Sequence, residues 1–591
     1  MFKHVLSFVL FSPFLLFALA ANCQSFTKIT DINNPIVADS PTGGYAGASW
    51  IDYDNDDDLD LFVNAANLFR NEGNGVFTEV QNSGITGSSG LGNGNTWGDF
   101  NNDGHIDVYL ANSASKLFMN NGDGTFSHVN TGDIGGSVNG WAAAFGDYNN
   151  DSFIDLVITH PCGFIGTCHA NYFFENNGDG TFDEITGTDV TTGNAAYTVA
   201  NWSDYDMDGD IDLFIGSGEV GFTSKDHIYI NLLTENGSAE LDRLTGVNFA
   251  DDLRDGQNWN WIDYDNDRDL DGFVTNYNNN VPNNFYRNDN GTFVKLTNAD
   301  VGAGMVSTNG PWLTNLWGDF DNDGDLDAVV TNDGGFDRMY SNNGDGTFTT
   351  VSTPFSNIFG TTRGATAGDY DNDGFLDLYI HGPNNNLKGL YNNDGNSNSW
   401  VNLCLEGTVS NRSALGARVH ALANVNGNDI WQLREITAQS SFDGMNSLRV
   451  HFGLGNATII DSLVIEWPSG MVEEFSDVQP ENFYKAIEGQ GFGLVTSLEE
   501  IAPSINGTLR VFPNPTANSE LYISYKFDQT NDVYLDVYTL NGKRITGLSG
   551  VFKSSKEREV LLNTAELSQG TYIVTVQSGG SVLNERLVIL Y

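Results

Sequence analysis

The sequence predicts an all-β protein, with a seven-bladed β-propeller followed by two small β-sandwich-like domains. Three observations support this fold class: an acidic nine-residue loop occurs seven times, short apolar runs flank each copy, and an Asn-Gly or Asp-Gly hairpin motif follows most copies. By subtraction, successive loops start 47, 48, 57, 59, 56 and 50 residues apart. A repeat of this length holds about four short strands, which is the content of one propeller blade.

Length and charge narrow the possible classes of protein. A chain of 591 residues is too long for one ordinary domain. Only 26 Lys and Arg stand against 77 Asp and Glu, which gives a formal net charge of -51. Such a surface repels phosphate backbones, so we expect no nucleic-acid partner.

The start of the chain is typical of a signal peptide, assigned to residues 1–23. Basic residues precede the apolar run Val5–Ala20, and small residues follow it. No other apolar run is long enough to span a bilayer, so no transmembrane segment is expected in the mature chain. Export to an oxidising compartment favours a disulfide between Cys162 and Cys168, whereas Cys404 lies in an apolar run and is predicted to be a buried thiol.

Each acidic loop carries Asp, or in two cases Asn, at positions one, three, five and nine. These candidate metal ligands are Asp52, Asp54, Asp56 and Asp60; Asp99, Asn101, Asp103 and Asp107; Asp147, Asn149, Asp151 and Asp155; Asp204, Asp206, Asp208 and Asp212; Asp263, Asp265, Asp267 and Asp271; Asp319, Asp321, Asp323 and Asp327; and Asp369, Asp371, Asp373 and Asp377.

The pattern predicts binding of Ca²⁺, with up to seven ions. Alternate side chains on a curled loop converge on one point, and the carbonyl of position seven adds a further oxygen. Six or seven oxygens suit Ca²⁺, while Mg²⁺ keeps more of its water. Glycine at position six permits the sharp turn in four loops, and Arg268 is the least suitable of the three replacements. We therefore expect the fifth loop to bind calcium most weakly.

Two other interpretations of the loops were compared. An EF-hand requires Glu at position twelve, but this position is apolar in all seven copies: Val63, Leu110, Ile158, Ile215, Val274, Val330 and Ile380. Ordinary Asx-rich turns would not keep one register through seven copies. The EF-hand is therefore excluded, and calcium loops are favoured over plain turns.

The ends of the repeat region, residues 24–396, predict a closed ring. Five units end in a similar strand, at Phe77–Val80, Phe126–Val129, Phe182–Ile185, Phe293–Leu296 and Phe348–Val351. The seventh unit lacks this strand after Gly395, and the segment Phe26–Ile29 has the missing sequence. A ring whose last blade takes a strand from the beginning of the domain explains this offset, whereas an open array does not.

These units resemble the FG-GAP/VCBS repeat family, whose calcium-loop propeller repeats also occur in integrin α-subunit heads. The resemblance covers roughly residues 26 to 396 and rests on the seven acidic loops. It implies a propeller with calcium in the loops.

The segment 397–492 has a different character, with motifs such as Ser447–Gly455 and Ile465–Gly470. This set resembles the ASPIC/UnbV domain, which often follows such repeats. Its Arg412, Arg418, Arg434 and Glu435 have two interpretations: the arginines bind an anionic ligand, or they form structural ion pairs with Glu and with Asp residues of the propeller. The second interpretation is favoured.

A linker is assigned to residues 493–508, and the last domain to 509–591. Val511–Pro515, Val537–Lys543 and Leu567–Val574 carry alternating apolar positions of a small antiparallel sandwich. The motifs resemble the type A sorting domain of the type IX secretion system of Bacteroidetes. This resemblance implies recognition by the type IX machinery and release from, or attachment to, the outer cell surface.

No catalytic motif is present, so we expect a protein that is not an enzyme. The favoured function is a secreted or cell-surface binding or adhesion module for a glycan or another surface protein. Two alternatives stay open: a calcium-dependent matrix component and, less favoured, a polysaccharide-active enzyme.

Overall fold

The computed structural model describes residues 24–38 and 44–495, apart from short segments at 64–66, 74, 86–93, 113–114, 131, 133, 135–137, 163–167, 220–221, 279 and 384–386. Towards the end of the chain it describes 507–512, 520–539, 545, 550–564, 567, 570–578 and 581–589. The predicted signal peptide, the central part of the predicted linker and the Pro-Asn-Pro motif lie outside these residues. The chain divides into two compact units, Met1–Val495 and Thr496–Tyr591.

Seven antiparallel sheets form the blades of a propeller, as predicted. A first strand, β1 (Phe26–Lys28), and helix α1 (Pro35–Ala38) precede blade one. Blades one to three contain β2 (Ala48–Ile51), β3 (Asp60–Val63), β4 (Asn67–Asn71) and β5 (Phe77–Glu79); β6 (Gly94–Gly98), β7 (Asp107–Ala111), β8 (Lys116–Asn120) and β9 (Phe126–His128); and β10 (Ala143–Gly146), β11 (Asp155–Ile158), β12 (Tyr172–Asn176) and β13 (Phe182–Glu184).

Blades four and five are longer and include short helices. They contain β14 (Tyr197–Ser203), β15 (Asp212–Glu219), β16 (Phe222–Lys225), β17 (His227–Asn231), α2 (Leu233–Asn236) and β18 (Leu241–Arg243); and then α3 (Asn248–Asp251), β19 (Leu253–Arg254), β20 (Gly256–Ile262), β21 (Asp271–Asn276), β22 (Asn284–Asn288), β23 (Phe293–Lys295) and α4 (Asn298–Val301).

The last two blades lead into the domain that follows. They contain β24 (Trp312–Gly318), β25 (Asp327–Gly335), β26 (Arg338–Asn342) and β27 (Phe348–Val351); and β28 (Gly360–Thr361), which pairs with β25, followed by β29 (Ala365–Gly368), β30 (Asp377–Ile380) and β31 (Gly389–Asn393).

The first strands of the blades surround a central channel. Each packs beside the next, in the order β2, β6, β10, β14, β20, β24, β29 and back to β2. The last blade is completed by β1, which pairs with β31 through Phe26 opposite Asn393 and Lys28 opposite Tyr391. The predicted circular offset is therefore confirmed, and the ring is closed.

Residues 399–494 form two four-stranded sheets that face each other as a sandwich. Their strands are β32 (Ser399–Glu406), β33 (Arg418–Val425), β34 (Asn428–Glu435), β35 (Val450–Gly455), β36 (Ile460–Glu466), β37 (Val472–Val478), β38 (Asn482–Ile487) and β39 (Gly491–Leu494). One hydrophobic core runs from blades two and three into this sandwich domain, from Ile154 through Leu415 to Val419. The two domains thus share their apolar interior.

A loop of the sandwich domain, residues 437–447, fills the central channel of the propeller, and we call it the plug. Its backbone bonds to the innermost strands: Thr96 Oγ1 donates to Ala438 O at 3.0 Å, and Thr366 Oγ1 donates to Met445 O at 2.7 Å. Phe442 is fully buried in the channel, against Ala142, Val199 and Leu313. The sequence does not predict the plug, because the plug belongs to no repeat.

Asp443 of the plug is fully buried, and no hydrogen-bond partner for either carboxylate oxygen lies among the described residues. Burial therefore raises the pKa of Asp443 well above its usual value. Because the folded state holds this proton and the unfolded state releases it, the penalty grows as pH rises above about 4. Asp443→Asn removes the penalty and keeps a residue that tolerates the left-handed φ of 60° found there.

We expect the Asp443→Asn variant to raise the melting temperature at pH 8 and to raise it less at pH 5. Each pH unit over which the native carboxyl stays protonated is worth about 1.4 kcal/mol. Differential scanning calorimetry at the two pH values measures this, with Asp345→Asn, on an exposed hairpin, as the control. A variant less stable than the parent at both pH values would contradict the assignment of a neutral carboxyl.

The second unit is built around one long strand. It contains β40 (Gly507–Phe512), β41 (Glu520–Thr539), β42 (Gly550–Asn563), β43 (Gly570–Ser578) and β44 (Ser581–Ile589). The first half of β41 pairs with β40, the second half with β43, and β42 follows both with a register shift after Lys526. Alternate residues Leu521, Ile523 and Tyr525 of β41 are buried. Val537 and Val574, which lie in two of the segments predicted as strands, are buried as well.

Among the described residues, no helix is long and apolar enough to cross a membrane. The predicted disulfide between Cys162 and Cys168 is present. Cys404 is a free thiol on β32, and its residue is only half-buried.

Candidate metal centres

The seven acidic loops connect the first and second strands of every blade at one end of the ring. Position nine is the first residue of the second strand and is buried in all seven loops. Its Oδ1 accepts a backbone N–H from the third strand at 2.7–2.9 Å. This hydrogen bond from the third strand fixes the orientation of the carboxylate.

Position one closes the loop on itself. In all seven copies its two oxygens accept the backbone N–H groups of positions five and six, as Asp319 does from Asp323 and Gly324. Positions four and six both have left-handed φ, 56° at Asn322 and 102° at Gly324. The turn predicted at position six is present, and the second left-handed residue at position four was not foreseen.

Arg268 also takes this conformation, with φ of 72°. Its guanidinium lies 5.2 Å from the centroid of Trp431 in the sandwich domain. That contact offsets part of the backbone strain. Weaker calcium binding by the fifth loop stays a prediction.

The loops place the predicted ligand residues close to one another, but some of their buried oxygens accept no hydrogen bond from the described residues. In the first, fifth and sixth loops, acidic oxygens of positions one, three and nine lie within 4.8 Å of one another: Asp52, Asp54 and Asp60; Asp263, Asp265 and Asp271; and Asp319, Asp321 and Asp327. In the fourth loop the group is Asp204, Asp206 and Asp208, and a neighbouring group adds Asp210 and Glu235. Sequence reasoning missed Glu235, because it lies outside the loop register.

Buried oxygens without a hydrogen-bond partner lie at position three of four loops: Oδ1 of Asp54, Asp265, Asp321 and Asp371. A buried carboxylate oxygen without a donor is costly, and a cation removes that cost. The donors are hard oxygens, which is the type of ligand that Ca²⁺ prefers. In the second and third loops, Asn101 and Asn149 instead donate their amides to Asp103 and Asp151 at 3.0 and 3.1 Å.

Burial raises the pKa of several carboxyls in the loops. Burial, followed by the charges of Asp99 and Asp103, raises the pKa of Asp107 to about 9. Burial and then Asp151 raise the pKa of Asp147 to about 7. A cation would replace these protons, so metal affinity is expected to increase with pH.

An asparagine at the end of the third strand connects neighbouring blades, and it was not among the predicted residues. Asn342 Nδ2 donates to Tyr264 O of the preceding blade at 2.8 Å and to Leu326 O of its own blade at 3.2 Å. The equivalents that donate to the preceding blade are Asn71, Asn120, Asn176, Asn231 and Asn393. An aromatic-x-Asn pattern in every repeat, such as Tyr340-Ser-Asn342, is the signal that could have found it.

The sandwich domain covers the loops with arginines directed at position one. Arg418 pairs with Asp204 and, at 2.8 Å, with Glu466. Arg412 Nε lies 3.7 Å from Asp99, and its Nη2 lies 2.6 Å from Glu406. The interpretation of these arginines as structural ion pairs is therefore confirmed.

Two other arginines, Arg434 and Arg449, reach the first, fifth, sixth and seventh loops. The half-buried Arg434 lies close enough to Asp263 and Asp319 to interact with both charges. Arg449 donates to Asn372 Oδ1 at 2.9 Å and to the carbonyl of Asp57. Glu435 accepts the backbone N–H of Asp204 at 2.8 Å. Attachment of the sandwich domain and the charge state of the loops are thus coupled.

Together the ring and its buried acidic loops define a β-propeller with candidate cation sites at one face. Family models agree with this class. The FG-GAP-like repeat matches residues 64–110, 99–158, 263–330 and 319–380, the ASPIC and UnbV domain matches 407–491, and the secretion system C-terminal sorting domain matches 510–590. The chain therefore carries FG-GAP-like repeats, an ASPIC/UnbV domain and a type IX sorting domain, and it is an exported propeller protein.

Other comparisons add little. No curated protein matches the chain. One solved structure, the plexin A4 full extracellular region, is similar over 92% of this chain and 69% of that chain, with 9% identity and a TM-score of 0.26. A TM-score this low supports no conclusion about this protein.

Proposed function

We propose that this protein is a calcium-loaded binding or adhesion module, secreted or held at the outer cell surface, and that it is not an enzyme. The unpartnered, buried oxygens at position three of the loops carry the calcium assignment. The sorting domain supports the outer-surface location, and the predicted signal peptide supports the first export step. The residues that would hold Ca²⁺ are those at positions one, three, five and nine, with the carbonyl of position seven.

The bound ions would neutralise the densest negative charge in the molecule. In each loop the protein holds the carboxylates in place through backbone N–H groups, and the covering arginines supply further positive charge. Calcium would fix the ring and its cover as one rigid support. The opposite face of the ring would then be presented for recognition of a glycan or another surface protein.

A single loop can be tested by the variant Asp321→Ala. Its Oδ1 has no partner among the described residues, so the change removes a proposed ligand at small structural cost. We expect about one fewer calcium ion per chain, measured by metal analysis after equilibrium dialysis. The control is Asp345→Ala on the exposed hairpin of the same blade, which should leave the number unchanged. An unchanged number in Asp321→Ala would contradict the site.

The binding role needs its own experiment. Glycan arrays and surface-protein extracts, probed with the full chain in calcium, should show saturable binding. If calcium bridges the ligand, a chelated but still folded protein loses that binding, and retention of full binding would exclude bridging. Calcium-dependent self-association without any ligand would instead favour the matrix component.

A further inference from the structure

The end of the channel opposite the acidic loops contains a pocket that we call the mouth pocket. Its cavity volume is about 50 Å³, enough for a few water molecules or one small polar group. Phe442 of the plug forms part of its lining, and Trp141, Tyr45 and Tyr277 are half-buried there. Its remaining lining is Pro161, Thr198, Asp255, Gln257 and Leu313.

The aromatic side chains form one continuous cluster. Tyr45 lies 5.8 Å from Trp141, 6.4 Å from Tyr277 and 6.3 Å from Phe442 between ring centroids. Both tyrosine hydroxyls donate to Asp333 Oδ2 at 2.8 Å. With their hydroxyls occupied, the tyrosines offer the pocket mainly their rings.

A cation already lies against this cluster. The guanidinium of Arg363 is 3.9 Å from the centroid of Tyr45, and Arg363 also pairs with Asp333. One face of Tyr45 is thus occupied by a cation, and Arg363 offsets the charge of Asp333, which leaves the rings of Trp141, Tyr277 and Phe442 for a further cation.

The polar side of the pocket holds a carboxylate without a counter-charge. Asp255 is 1% exposed, and its Oδ1 accepts from Gln257 Nε2 at 3.1 Å, while no partner of Oδ2 lies among the described residues. The neighbouring Asp226 is different, because it pairs with the buried Arg254. Burial, with the charge of Asp226, raises the pKa of Asp255 to about 7, as expected for a carboxyl that lacks a cation.

We propose that the mouth pocket binds a primary ammonium group. The aromatic cluster would attract the cation, and Asp255 Oδ2 would accept one of its three N–H donors. The Oγ1 of Thr198 already donates to Gly256 O at 2.7 Å, so it contributes no free donor for a neutral hydroxyl ligand. The net charge of -51 favours a cation further. This inference rests on the binding role proposed above and names the chemistry that the free face recognises.

The test is a saturation-transfer NMR titration of the full chain in calcium with propylammonium. We expect a dissociation constant in the millimolar range, roughly 1–10 mM, because the probe is small. The neutral isostere 1-propanol should bind far more weakly. Nα-acetyl-lysine amide and glucosamine, each compared with its uncharged analogue, distinguish a protein from an amino-sugar source of the ammonium group.

Asp255→Asn should weaken propylammonium binding on the order of tenfold, because a charge-assisted bond is lost. The control Asp337→Asn changes a fully buried carboxylate that does not line the pocket, and should leave binding unchanged. If Asp255→Asn does not fold, Trp141→Leu serves, with an expected loss of about threefold to tenfold.

Absence of propylammonium binding, equal binding of 1-propanol, or full binding by folded Asp255→Asn would overturn the proposal. A failed titration together with intact calcium-dependent stability would remove this inference alone. Loss of the calcium effect with retained ammonium binding would remove only the calcium assignment.

Discussion

Removal of calcium from the full chain is expected to lower its melting temperature by roughly 15–20 °C. Each ion that binds only the folded ring adds about 2.7 kcal/mol at a free concentration one hundred times its dissociation constant. With up to seven sites, the total is large even for a protein of this size. Scanning calorimetry with millimolar calcium and with excess EGTA measures the difference.

The calcium effect should also increase with pH. Without metal, burial raises the pKa of carboxyls such as Asp107, to about 9, and of Asp147, to about 7. The folded state then binds more protons than the unfolded state, so the stability of the EGTA-treated protein falls as pH rises above about 4. Calcium requires the deprotonated ligands. We therefore expect a larger calcium shift at pH 8 than at pH 5.5.

Magnesium at the same concentration provides the control, and it should stabilise much less because it gives up its water reluctantly. Coincident melting curves in calcium and EGTA would mean that the acidic loops are not working metal sites. The calcium proposal would then have to be withdrawn.

The second large effect is expected from Phe442→Ala in the plug. Phe442 is fully buried in the central channel, where it packs against Leu313 and Val199 of the innermost strands. Removing a buried phenylalanine costs about 3–5 kcal/mol, and a ring of rigid blades cannot collapse to fill the space. The loss should appear as a lower denaturant midpoint and as faster proteolysis within residues 437–447.

Phe359→Ala is the matched control, because Phe359 is 65% exposed on the propeller. Its effect should stay within about 0.5 kcal/mol. If Phe442→Ala were as stable as the parent and equally resistant to protease, the plug would not support the ring. The sandwich domain would then be held mainly by its ion pairs and by the shared core.

The sequence was sufficient for the parts of the fold that repeat. Seven loops in one register predicted the blades, and the segment at Phe26 predicted the closing strand, which pairs with β31. Alternating apolar positions in Val537–Lys543 and Leu567–Val574 predicted strands of the last domain, and Val537 and Val574 are buried in its core. A periodic sequence pattern therefore predicts structure whenever every repeat buries the same face of its strands.

The parts of the fold that do not repeat could not be predicted from a periodic sequence pattern. The plug forms hydrogen bonds with six different strands, and nothing in the local sequence marks Phe442 or Asp443 for that position. The mouth pocket likewise combines Tyr45, Trp141 and Asp255 from distant parts of the chain. Glu235 was not predicted as part of the fourth acidic cluster, because only the tertiary fold brings it close to that loop.

Because β1 pairs with β31, the ring can close only after the last blade has been synthesised. Ser25 donates to Asp394 across 369 residues of chain, so this contact forms only after nearly the whole propeller has been synthesised. Pairings this distant in sequence are slow to form, although the entropy of closing them grows only slowly with length. Until then, the outer edge of β31 is an open strand that accepts any suitable partner. Export before β1 pairs with β31 would keep the ring from closing inside the cell. Where many incomplete chains lie close together, β1 of one copy would instead pair with β31 of another.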